Sequence, residues 1–125
     1  MNAADRYQTT QNETASPQRL MVLLFEAALK HARAGAQALE QGRRAEAVPA
    51  LTKASDIVAE LEATLDHSQA PELCKNLSAV YRFVATRLTS AALTGKAKTA
   101  REAERAFAPV ADAFRQAVAA AGAGK

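Results

Sequence analysis

The sequence predicts an all-α fold, an antiparallel four-helix bundle with a flexible N-terminal arm, and three observations carry that prediction. Glycine (5) and proline (4) are scarce in a chain of 125 residues. Apolar residues make up 49% of it while aromatics reach only 5%, so much of the apolar share is alanine, a strong helix former. No stretch alternates apolar and polar residues for long enough to read as a strand.

Taken in order, residues 1–13 (MNAADRYQTTQNE) are polar and read as a mobile arm carrying one aromatic, Tyr7. A bundle domain follows over 14–121, with 122–125 as a disordered tail. In "TASPQRLMVLLFEAAL", residues 14–29, Ser16 suits an N-cap. Pro17 suits the first helical position, where its missing N–H has no intrahelical partner to lose. The first helix is predicted to reach Gln41 and to end at Gly42, in a GRR turn. The second runs from Ala45 or Pro49 to Asp66, with Pro49 either in the first turn or at a kink. HSQAP at 67–71 is a connector whose Pro71 starts the third helix, which ends near Leu93, before Thr94 and Gly95. The fourth covers 98–120, and Pro109 inside it predicts a kink or a break. Four helices of about 20 residues with short connectors make an up-down bundle.

Stepping about 100° per residue sorts the helical faces. The second helix gathers Leu51, Ala54, Ile57, Val58, Leu61 and Leu65 on one side, with Lys53, Asp56 and Glu60 opposite. The fourth does the same with Ala103, Phe107, Val110, Phe114, Ala117 and Val118. The third has a core stripe of Leu73, Leu77, Val80, Tyr81, Val84 and Leu88. Phe83 falls outside that stripe, beside Arg87, and is a candidate contact residue.

The first helix is the exception. Arg19, Glu26, Lys30, Arg33, Gln37 and Glu40 occupy only about 80° of its circumference. Leu20, Leu24, Ala27, Ala34 and Ala38 form one apolar seam, expected to enter the bundle. Met21, Phe25, Ala28, Ala32 and Leu39 form a second, with Leu29 beyond it, expected to face a partner. A central helix, a homodimer contact or a groove for helices of another protein each account for so wide a face.

Charge and chemistry narrow the function. The formal charge of +3 and pI of about 9.3 fall short of a polyanion binder, and no nucleic-acid partner is expected. The densest basic group, Lys96, Lys98, Arg101 and Arg105, reads as a solvated helix face. Cys74, the single cysteine, excludes an internal disulfide and reads as a small apolar filler suited to a reducing compartment. No signal peptide is recognisable, and Leu20–Leu29 is shorter than the roughly 20 residues of a membrane span. The expected location is therefore cytoplasmic, without membrane insertion.

Neither of the two histidines follows a glutamate at the spacing of a di-iron bundle, so no metal is expected. No phosphate loop or activated nucleophile is present, and neither a cofactor nor an enzymatic activity is expected. "KHARAG" at 30–35 leaves a histidine phosphotransfer bundle using His31 as an alternative. Ala34 stands where such domains usually carry a basic residue, and His31 lies near the Leu20–Leu24–Ala27 seam.

The order of motifs points further. "YQ" at 7–8, "TASPQRLMVLLFEAAL" at 14–29, "KASDIVAELEATLD" at 53–66 and "NLSAVYRFVATRL" at 76–88 together resemble the flagellin-specific export chaperone (FliS) family. The resemblance covers residues 7 to about 95 and continues more loosely through the fourth helix. It implies a cytoplasmic bundle that binds the disordered C-terminal segment of flagellin, prevents premature polymerisation and delivers the subunit to the flagellar type III export gate. It also implies that the arm with Tyr7 lies over part of the groove in the free protein. With the seam and the offset aromatic, the expected flagellin-binding residues are Tyr7, Met21, Phe25, Leu29, Phe83 and Arg87.

Overall fold

A computed structural model describes residues 16–123 of the chain. Among them are four helices, α1 (Pro17–Glu40), α2 (Arg44–Ala63), α3 (Pro71–Thr94) and α4 (Ala97–Ala123), and no strand. The all-α bundle expected from composition is the observed fold. The start of α1 follows its sequence signal closely. The Ser16 side chain accepts a hydrogen bond from the Arg19 N–H at 3.1 Å, and Pro17 occupies the first turn.

Gly42 and Gly95 adopt φ of 73° and 74°, the left-handed region that glycine enters without a Cβ penalty. Each lets one helix reverse into the next within a few residues, which puts both short turns at the same end of the bundle. Arg44 ties the two turns together. Its guanidinium donates to the Leu93 carbonyl, one of the last acceptors of α3, and lies 3.3 Å from where a Cβ at Gly95 would stand. At the far end Asp66 accepts from the Ser68 N–H and hydroxyl, which hold its carboxyl below the usual range.

The helices close into a ring, α1 on α2, α2 on α3, α3 on α4 and α4 back on α1. Two prolines sit inside helices, and neither ends one. Pro49 lies beyond the first turn of α2, which begins at Arg44, and Pro109 lies within an unbroken α4. Both face solvent, where water can serve the carbonyls their rings leave without a donor. Of the kink or break expected at Pro109, the break does not occur, and α4 continues to Ala123, past the expected end.

The core reverses the expected orientation of α1. Phe25, Ala28 and Ala32 are buried, whereas Leu20 is 38% exposed and Ala34 faces solvent; of the seam expected to enter the bundle only Ala38 is buried, with Leu24 packed partly against the core. Phe25 is drawn inward by rings from two other helices. It lies 5.6 Å from Phe107, 4.9 Å from Phe114 and 6.3 Å from Tyr81, centroid to centroid. Only a side chain of that reach can meet all three, and aromatic pairs at these separations add to the area they bury. The seam expected to face a partner is thus the core seam. In the other helices the assigned stripes hold at Leu51, Val58, Leu61, Val84, Leu88 and Phe107, all buried, but not at Leu73 or Ala117.

Small residues set the tightest contact. At Gly35 on α1 an added Cβ would lie 2.5 Å from the Leu51 Cδ2 of α2, so the two helices meet where α1 has no side chain. Ion pairs brace the surface between helices. Arg101 reaches both Glu40 and Glu104, Arg33 also reaches Glu104, and Arg82 pairs with Glu62 at 2.7 Å.

Candidate functional site

Along the seam between α3 and α4 the apolar surface is incompletely covered. On α3, Leu73, Leu77 and Val80 recur at i, i+4 and i+7, and on α4 Ala106, Val110, Ala113 and Ala117 continue the same spacing. Between the two rows a groove of about 380 Å³ is lined by Phe25, Leu77, Tyr81, Pro109, Val110, Ala113 and Phe114. No charged side chain lines it. Phe25 and Tyr81 form the buried floor, and burial pushes the Tyr81 phenol up to about 12, so it stays neutral.

The groove has one stopped end and one open end. Nearer the short turns, the Arg87 guanidinium lies 3.6 Å from Glu102 across the seam and 5.1 Å from the centre of the Phe83 ring. Phe83 is 43% exposed and marks the outer lip there. Toward the other end the apolar row runs out past Leu73, itself 58% exposed. From Leu73 to Phe83 the stripe extends about 15 Å at the helical rise, enough to support about three turns of a docked helix. The alanines of α4 keep that wall low, so a docked helix can approach closely.

A second, larger depression of about 590 Å³ lies across α4, against α1, but it is charged. Glu26, Arg33, Arg105, Asp112 and Arg115 line it together with Leu29, and Arg115 is paired with Asp112. An apolar helix would strand those charges there, whereas the α3/α4 groove carries charge only at its stopped end, where Arg87 faces Glu102.

The expected site residues therefore separate. Phe83 and Arg87 sit together at the lip of the apolar groove, and Phe25 is its floor rather than an exposed contact. Leu29 belongs to the charged depression, and Met21 is half-buried against the core. Tyr7 lies outside the described residues. Periodicity places Leu77, Val80, Tyr81, Val110 and Phe114 in core stripes and gives Ala113 no role. Stepping around α3 puts Val80 at the edge of its stripe but Leu77 in the middle, next to Leu88, so periodicity alone does not mark the groove. His31, the residue of the phosphotransfer alternative, is half-buried, and burial together with Lys53 and Lys30 lowers its pKa.

Comparison with known proteins adds a family to this geometry. Residues 1–121 match the family described as Flagellar protein FliS. The chain belongs to the FliS family. It is 31% identical over 117 residues to the flagellar secretion chaperone FliS of Bacillus subtilis (strain 168), covering 94% of this chain and 86% of that one. It is 34% identical over 104 residues to the protein of the same name from Salmonella typhimurium (strain LT2), covering 82% and 77%. A crystal structure described as a flagellar chaperone from bacteria shares the fold, with a TM-score of 0.72 over 93% of this chain and 94% of that one, at 19% identity. The FliS relatives are named as chaperones, a non-enzymatic role, and a flagellar chaperone is what the family membership supports. No described helix is long and apolar enough to cross a membrane.

Proposed function

We propose that this chain is a cytoplasmic flagellar export chaperone that binds the disordered C-terminal segment of flagellin as a helix in the α3/α4 groove. Held there, the segment is unavailable for polymerisation until the subunit reaches the type III export apparatus. The observation that carries the reading is the uncharged groove itself, flanked by an exposed aromatic and a protruding leucine. A disordered client must bury much apolar surface to offset its ordering entropy, and an amphipathic helix laid in a groove does so with anchors at i, i+3, i+4 and i+7. The arm bearing Tyr7 would cover the groove in the free protein and move aside for the client.

The test replaces groove residues rather than core ones. Leu77→Glu and Ala113→Glu place a charge in the groove and should abolish co-purification with flagellin while circular dichroism stays helical. Undiminished co-purification with both folded variants rules out this groove. Replacing Phe25 would not serve, because its ring is buried and its loss destabilises the bundle.

A further inference from the structure

We propose that the bundle end formed by the 41–43 and 95–96 turns docks onto an anionic lipid bilayer, end-on and without insertion of any helix. The first observation is a lengthwise separation of charge. In the half nearest these turns, residues 30–53 and 84–108, ten Lys or Arg stand against four Asp or Glu. In the other half of the described chain, four stand against seven. A charged surface therefore attracts one end of the bundle and repels the other, which fixes the orientation of approach.

The second observation is what stands at the positive end. Arg43, Arg44, Lys96 and Lys98 are exposed around the two turns. Among the described residues neither lysine pairs with a carboxylate, and Arg43 has only Glu46, at 3.7 Å. Leu93 stands among them 72% exposed, its carbonyl held by Arg44, and Val48, one turn along α2 from Arg44, is 37% exposed. Cations around a protruding aliphatic side chain suit a headgroup layer, which takes the charges at its surface and the leucine at its acyl boundary.

The shape decides between anionic partners. A shallow depression of about 410 Å³ lies beside Leu93 and Thr94, but Arg43, Arg44, Lys96 and Lys98 line neither it nor the two grooves described above, so the cations themselves stand outside any cleft. An acidic peptide needs a cleft or an edge to hold it, whereas a bilayer is flat and deformable. End-on docking also leaves the α3/α4 groove free, since that groove lies along the side of the bundle and opens toward the opposite end. The proposal is independent of what the groove binds.

The experiment is co-sedimentation of the full chain with sucrose-loaded vesicles. Phosphatidylcholine vesicles should leave the protein in the supernatant, and vesicles with phosphatidylglycerol in a third of the lipid should pellet it at low salt. Binding should weaken steeply as salt rises. Lys96→Glu together with Lys98→Glu, on two exposed side chains, should lower partitioning at least tenfold, given about fivefold per cation near an anionic surface. Leu93→Ser should lower it severalfold at unchanged charge. No difference between the two vesicle types overturns the proposal, and so does retained binding by either folded variant. Capture of soluble poly-glutamate without any vesicle binding overturns it too, and assigns this end to an acidic protein segment.

Discussion

The seams α1/α2 and α3/α4 are built from similar residues and end differently. Between α1 and α2 the contact is sealed: Gly35 admits Leu51, and Ala28, Ala32, Ala36, Ala47 and Ala54 are all buried. Between α3 and α4 alanine again dominates one wall, but Ala113 and Ala117 are exposed, and Leu77 and Val110 are only partly covered. Small residues on a helix allow close approach without compelling it. Where a large partner such as Leu51 fills the space, the seam closes. Where the facing row is shifted to the outer edge, the same residues leave a groove.

That difference is open to direct attack. The largest expected effect is at Leu51. Leu51→Ala should destabilise the bundle by about 2–5 kcal/mol in thermal or urea unfolding, because a fully buried leucine leaves a cavity. Val110→Ala, on the half-covered seam, should cost no more than about 1 kcal/mol. Equal losses would erase the distinction between the seams. Gly35→Ala comes next, expected to cost about 1–3 kcal/mol by forcing Leu51 aside. Its control is Gly122→Ala, which meets nothing within 4 Å and should cause no loss of melting temperature.

The smallest effect belongs to the ion pairs that brace the other two seams, α1/α4 and α2/α3. Hydrogen bonds from Arg101 to Glu40 and from Arg82 to Glu62 hold those carboxyls below their ordinary value of 4.5. Glu104 is lowered too: burial would raise it, but Arg101 and Arg33 outweigh that. A carboxylate whose folded pKa is depressed stabilises the fold above its unfolded pKa, and that contribution is lost as pH falls through the folded value. Melting temperature should therefore decline as pH drops below about 4.5, with the decline reduced in high salt because these pairs are solvent-exposed. His31, lowered from 6.5 by burial and two lysines, adds a small loss of the same sign beginning near pH 6.5. A melting temperature that rises on acidification would contradict both assignments.

The helices were legible because their punctuation is local. Ser16–Pro17, Gly42, Pro71 and Gly95 act through backbone conformation at the residue itself. The facing of α1 was not legible, because its two apolar seams are adjacent and equally apolar. What separates them is the position of Tyr81, Phe107 and Phe114, residues of other helices that α1's own periodicity cannot report. The groove was hidden for a related reason. Leu77 and Val110 carry the same core-like signal as Leu88 and Phe107, and whether a neighbour covers them depends on the register between α3 and α4. Phe83 and Arg87 could be found because an aromatic off the core stripe is visible on a single helix.

Cys74 turns that end of the bundle into its own clock. The thiol is 7% exposed, and its Sγ donates to the Asp66 carbonyl at 3.4 Å, where the connector meets the first turns of α3. A thiol reagent can reach it only when those turns lift away. As the single cysteine, it gives a modification rate in native buffer that measures how often the Leu73–Leu77 mouth of the groove opens, with no added probe. A segment lodged in that mouth should slow the reaction, and the ratio of the two rates would report its residence without a separate binding assay.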